Sequence, residues 1–122
     1  MEGKCKVLIV EDQAMTAILY KKRLHRIGYQ ICGPVPSGEE AIEVANKEKP
    51  DLVLMDINLL GKMDGIEAAE KIFNNNNTKI IFMTGYANEE IKKRAMALNP
   101  VAYLLKPFNF DELDSLIRSA FE

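Results

Sequence analysis

A doubly wound α/β fold, with helices on both faces of a five-stranded parallel sheet in three layers, is what this sequence predicts. Three observations carry the prediction. Short apolar runs alternate with longer helical patterns about five times over. The short runs are apolar almost throughout, as strands covered on both faces must be. Finally, the 122 residues leave no stretch over for a linker or a second domain, so a single domain spanning residues 1–122 is expected.

The strand candidates are Cys5 to Val10, Gln30 to Gly33, Leu52 to Met55, Ile80 to Met83 and Ala102 to Leu105. Between them lie helices with their own start and stop signals. The first carries Ala17, Tyr20, Leu24 and Ile27 on one face and stops at Gly28. The second opens on a capping box, Ser37 with Glu40, and closes before Pro50. Asp64 with Glu67 opens the third, which buries Ile66, Ala69 and either Ile72 or Phe73. The fourth starts near Asn88, buries Ile91, Ala95 and Leu98, and ends at Asn99-Pro100. Asn109 with Glu112 opens the fifth, where Leu113, Leu116, Ile117 and Ala120 recur at helical spacing. The run Asn74 to Asn77 reads as a solvated turn. For a (βα)₅ chain of this length the expected strand order is 2-1-3-4-5, the flavodoxin-like arrangement. Right-handed crossovers then set all the strand C-termini along one edge, where ligands bind in open α/β sheets.

Composition excludes several function classes. A net charge of −2 gives no basic face for nucleic acid. No apolar run reaches the roughly 20 residues of a membrane span, and Met1-Glu2-Gly3-Lys4 does not resemble a signal peptide, so a cytoplasmic chain is expected. The cysteines, Cys5 and Cys32, lie in apolar runs without CxxC spacing and read as reduced core thiols. His25, between Arg23 and Arg26, reads as an exposed surface residue rather than a catalytic one.

The residues just past the strands form an unusual set. Glu11-Asp12 follows strand 1, Asp56 strand 3, Thr84 strand 4, and Lys106-Pro107 strand 5. Strands 1 and 3 are neighbours roughly 4.8 Å apart in this order, so three carboxylates converge. Like charges so close repel, and a bound divalent cation is the simplest relief. Oxygen ligands without histidine or thiolate call for a hard ion, and Mg²⁺ is favoured because it keeps several waters and shares its shell with a phosphate oxygen, while the Ca²⁺-loop spacing is missing. Lys106 lies two strands, roughly 10 Å, from strand 3, within reach of an anion on Asp56. Thr84, on the strand between, offers a hydroxyl to the same anion. Nucleophile, cation, hydroxyl and ammonium together make a phosphoryl-transfer site, with an aspartyl phosphate as product.

Taken singly, each residue has a plainer explanation. Asp12 alone reads as a loop or cap charge, Thr84 as a turn residue, Lys106 as a surface lysine. Asp56 is different: it directly follows Leu52-Val53-Leu54-Met55, where an unpaired charge is costly. The combination on one edge carries the argument. A phosphatase of the haloacid dehalogenase type uses similar groups, but needs an acid two residues past an early nucleophile, where this chain has Asn58. A flavin carrier needs a hydroxyl- and glycine-rich phosphate loop after strand 1, and Glu11-Asp12-Gln13 would repel the phosphate.

In Val7-Leu8-Ile9-Val10-Glu11-Asp12, Asp51-Leu52-Val53-Leu54-Met55-Asp56, Met83-Thr84-Gly85 and Tyr103-Leu104-Leu105-Lys106-Pro107-Phe108 the chain resembles the receiver domains of two-component response regulators. The likeness is to a single, chemotaxis-regulator-like domain without an output domain, and it runs from Lys4 to Phe121. It implies that Asp56 is the phosphoacceptor, that Asp12 holds Mg²⁺ directly, and that Glu11 does so often through water. The main-chain carbonyl of Asn58 would be a further ligand. Thr84 and Lys106 would bind phosphoryl oxygens, with the Lys106-Pro107 bond cis. Tyr103 would turn inward as Thr84 moves toward the phosphate, switching a face of the fourth helix, fifth strand and fifth helix. The implied donor is a sensor histidine kinase or histidine phosphotransfer protein, and the implied target a downstream protein. The alternative is a receiver-like interaction module that is never phosphorylated. One departure stands out: many receivers have proline four residues after the acceptor and glycine eight after it. Here the fourth is Leu60 and Gly65 comes nine after, with Gly61 inserted between. The metal site is expected to survive, since Asn58 precedes the insertion, while the neighbouring docking surface changes shape.

Overall fold

The computed structural model describes residues 5–59 and 61–121. Leu60, in the position of the usual proline, and the N-terminal residues through Lys4 lie outside the described residues. The elements run β1 (Lys6–Val10), α1 (Ala14–Ile27), β2 (Gln30–Val35), α2 (Gly38–Glu48), β3 (Leu52–Asp56), α3 (Gly65–Asn76), β4 (Lys79–Thr84), α4 (Glu89–Met96), β5 (Ala102–Leu105) and α5 (Phe110–Phe121). All sheet pairings are parallel and the order is β2-β1-β3-β4-β5, as the alternation predicts.

The continuous apolar runs are explained by the side chains' period of two. Leu8, Val10, Val53, Met55, Ile80 and Phe82 point to one face and meet Ala41, Ala45, Ile66, Ala69, Ile72 and Ala95 of α2, α3 and α4. Their neighbours Val7, Ile9, Leu52, Leu54, Ile81 and Met83 point the other way, onto Tyr20, Leu24, Leu113 and Ile117 of α1 and α5. Every residue of β3 is buried. Such a strand has no polar face to spare, so an acid at its end must be partnered locally.

The predicted capping residues act at their helix starts, although the Ser37–Glu40 box forms only its Ser37 half. Ser37 accepts a hydrogen bond from the Glu40 amide, and Asp64 with Glu67 forms a complete reciprocal box. Asn88 and Asn109 accept from the amides of Ile91 and Asp111 at the starts of α4 and α5. Gly28 ends α1, its amide bonding back to Leu24 and His25. Of the alternatives in α3, Ile72 is buried and Phe73 is exposed. His25 is exposed; Cys5 is buried, its thiol pushed up to about 11 by burial and the nearby Asp51 charge, whereas Cys32 is only half-buried.

Several boundaries differ from the sequence reading: Asn74, Asn75 and Asn76, read as part of a turn, form the end of α3, and only Asn77 lies beyond it, left-handed at φ 33°. α4 stops at Met96, not at Asn99. Pro100 disfavours helix at the residue before it and crowds the carbonyl four residues back, which is that of Met96. The chain leaves through a tight turn, Leu98 amide to Ala95 carbonyl, with Asn99 left-handed at φ 53°. β2 runs on to Val35, past Gly33, because an irregularity opposite Leu8 to Val10 absorbs Gly33 and Pro34 before pairing resumes. Gly33 sits there at φ 82°, where an added Cβ would lie 3.1 Å from the Ile9 carbonyl oxygen, so only glycine fits without strain.

Candidate functional site

Strand register brings the acidic residues together. Val10 is paired with Met55, so Glu11 emerges beside Asp56. On the other side Asp56 pairs with Met83, and Thr84 with Leu105, which places Thr84 and Lys106 one step further along the same edge. Carboxylate oxygens of Glu11, Asp12 and Asp56 lie within 4.8 Å of one another. Glu11 and Asp56 are almost fully buried, while Asp12 is half-buried at the mouth.

Lys106 reaches across from the end of β5. Its Nζ lies 2.7 Å from Glu11 Oε1 and 2.9 Å from Asp56 Oδ2. Burial works against the ammonium, but the hydrogen bonds to Glu11 and Asp56 outweigh it and hold Lys106 above the usual lysine range. For Glu11, burial raises the carboxyl; the Lys106 hydrogen bond opposes the rise and the Asp56 charge adds to it. Lys106 thus bonds two of the three clustered acids, Glu11 and Asp56. The donor set, all carboxylate with no nitrogen or sulfur ligand, fits a hard divalent cation such as Mg²⁺.

Backbone geometry holds these groups in place. The Asn58 amide donates to Asp56 Oδ1 at 2.9 Å, and the Gln13 amide to Glu11 Oε2 at 3.2 Å. The Ile57 amide bonds to the Met83 carbonyl and the Lys106 amide to the Thr84 carbonyl, which continues the sheet past the strand ends. The Lys106–Pro107 bond is cis, and so is Gly33–Pro34, which the sequence did not announce.

Two residues of the site escaped the sequence reading. The side chain of Asn58, weighed there only as standing where a phosphatase needs an acid, accepts a 2.7 Å hydrogen bond from the Thr84 hydroxyl. Its signal was weak: an amide side chain two residues past Asp56. Gly65 is the second. Its amide bonds to the Ile57 carbonyl at 2.9 Å, and a Cβ there would sit 2.1 Å from the Asp56 carbonyl oxygen. The start of α3 therefore touches the backbone of Asp56 itself, despite the longer loop before it. That Gly65 stands nine rather than eight residues past the acceptor hid the equivalence.

Tyr103 is not part of the cluster. It is half-buried against the α2–α3–α4 core, its hydroxyl shielded from solvent without a hydrogen-bond partner, and Lys92 Nζ lies 5.8 Å from its ring centroid. It lines a groove with Asn88, Glu89, Lys92 and Glu112, between α4 and α5.

Known proteins share this fold. The family model for the response regulator receiver domain matches residues 7–118. The transcriptional regulatory protein PdtaR of Mycobacterium tuberculosis is 36% identical over 94% of this chain, which spans only 56% of that protein. The chain thus covers little more than half the length of that relative. Sporulation initiation phosphotransferase F of Bacillus subtilis is 33% identical over 93% of the chain and 90% of its own length. Among solved structures, the signal receiver domain of a modulated diguanylate cyclase from Desulfovibrio desulfuricans superposes with a TM-score of 0.89 at 39% identity, covering 94% of this chain and 91% of that one. A CheY-like receiver domain protein from Methanospirillum hungatei gives 0.89 at 28% identity, over 97% and 94%. No helix among the described residues is long and apolar enough to cross a membrane. With the family model matched over nearly the full length of the chain and the fold in common with these structures, this chain belongs to the receiver domains of two-component response regulators.

Proposed function

We propose that this domain is a phosphoacceptor whose Asp56 carboxylate takes a phosphoryl group from a phosphohistidine on a sensor kinase or histidine phosphotransfer protein. An Asp56 oxygen forms the bond to phosphorus as the donor's phosphorus–nitrogen bond breaks, leaving its electron pair on the imidazole. The observation that supports this best is the Lys106 ammonium, drawn from a strand two removed to lie 2.9 Å from Asp56. A mere cap or loop charge would not organise such a partner.

Asp12 would ligate Mg²⁺ directly, Glu11 through water, and Asn58 through its main-chain carbonyl. When bound, the ion would neutralise charge on the phosphoryl oxygens. Lys106 would orient the phosphoryl group from the opposite side, and Thr84 would donate its hydroxyl to it. The domain would then signal as a switch rather than act as an enzyme on a separate substrate. Its altered α4–β5–α5 face, including Tyr103, would engage a downstream protein. The near-complete coverage of a relative named as a phosphotransferase supports the phosphorelay setting.

Acetyl phosphate with Mg²⁺ tests the proposal. One hydroxylamine-labile phosphoryl group per chain is expected, absent in Asp56→Asn and with excess chelator. Labelling of Asp56→Asn at the parent level would falsify the assignment. For the metal, Asp12→Ala should weaken Mg²⁺ binding more than Glu11→Ala does, read from amide shifts at Asp56 and Asn58 during titration. Equal weakening would overturn the assigned roles.

A further inference from the structure

Thr84 has a single hydroxyl proton, and Asn58 holds it. The hydroxyl donates to Asn58 Oδ1 at 2.7 Å, while its oxygen accepts from the Tyr86 amide at 3.2 Å. The direction of the first bond follows from its partner: Asn58 Oδ1 carries no hydrogen and can only accept, so the Thr84 proton points at it. Thr84 is buried, whereas Asn58 stands exposed at the rim of the site. Asn58 also gives its backbone amide to Asp56 Oδ1 at 2.9 Å. One residue therefore connects the acceptor carboxylate through its main chain with the threonine through its side chain.

We propose that the Asn58 side chain is a latch that holds Thr84 in the resting arrangement and competes with an anion on Asp56 for the Thr84 proton. The inference rests on the phosphoacceptor reading and adds regulation to it. An O–H group donates one strong hydrogen bond at a time, so Thr84 cannot turn to a phosphoryl oxygen until it leaves Asn58. Asn58 is here a positioning residue: it sets how readily the anion recruits Thr84, through a bond made only in the resting state. Removing that bond leaves the Asn58 amide and carbonyl intact, because both belong to the backbone. It also threatens the fold little, since the side chain is exposed.

The test is a titration with beryllofluoride and Mg²⁺, followed by amide shifts at Thr84 and Tyr103. It uses the parent chain, Asn58→Ala, Thr84→Ala and the double variant. Asn58→Ala should bind beryllofluoride a few-fold to about tenfold more tightly, the worth of one net hydrogen bond. In the Thr84→Ala background the Asn58→Ala gain should vanish, because no hydroxyl remains to release. Unchanged affinity in Asn58→Ala, or a gain of equal size with and without Thr84, would overturn the latch while leaving phosphorylation of Asp56 intact. If the parent chain binds no beryllofluoride, the phosphoacceptor reading falls and the latch falls with it.

Discussion

α3 and α4 both follow strands that end in the site, yet they are fastened to the sheet in different ways. α3 spans twelve residues, buries five of them, starts on a reciprocal capping box and presses Gly65 onto the backbone of Asp56 and Ile57. α4 spans eight residues and buries only Ala95. It is tied to its neighbour by an exposed ion pair, Arg94 Nη2 to Asp64 Oδ2 at 3.2 Å, a class of contact that contributes little. The helix beside Asp56 packs closely onto the backbone of that residue, whereas the helix beside Thr84 and Tyr103 is held by fewer buried side chains.

The largest expected effect breaks the firm side. Gly65→Ala drives a Cβ into the Asp56 carbonyl, so α3 must shift, at a cost of about 3 kcal/mol in urea unfolding. Loss of Mg²⁺ binding should accompany it. A variant as stable as the parent would show that α3 is not packed so closely there.

The next prediction weighs the two helices against each other. Ile72 is fully buried under α3, and Ile91 on α4 is only half-buried. Ile72→Ala should lose about 3 kcal/mol and Ile91→Ala about 1 kcal/mol. Equal losses would erase the contrast.

The smallest effect has the opposite sign. The buried Tyr103 hydroxyl has no partner, so Tyr103→Phe should raise stability by about 1 kcal/mol in the resting protein. A loss of stability instead would mean that an ordered water serves that hydroxyl and that this side is better satisfied than the contrast implies.

Much of this architecture could be read before any coordinates. Runs such as Val7-Leu8-Ile9-Val10 signal burial on both faces, and Ser37, Asp64, Asn88 and Asn109 mark helix starts through local hydrogen bonds only a few residues long. The carboxylates and Lys106 were legible because parallel topology sends every strand end to one edge. What stayed hidden depends on contacts between loops. The Asn58–Thr84 bond joins residues 26 apart in sequence, and the role of Gly65 appears only when α3 meets the end of β3. The early end of α4 was in principle readable, since Pro100 acts on the Met96 carbonyl, but the apolar spacing through Leu98 argued for one more turn.

The irregular course of β2 has a consequence for life in a crowded solution. β2 is an outer strand, with β1 on one side and, among the described residues, no strand on the other. Regular outer strands invite a second chain to add on, by offering it a ladder of free amides and carbonyls. Here Pro34 contributes no amide, and Gly33 turns the backbone out of step just where the ladder would continue. Pro36 follows directly after the strand and removes another donor. An incoming strand would find its register broken within three residues of Gln30. The same kink that lets β2 run on to Val35 thus guards this side of the sheet against edge-to-edge aggregation.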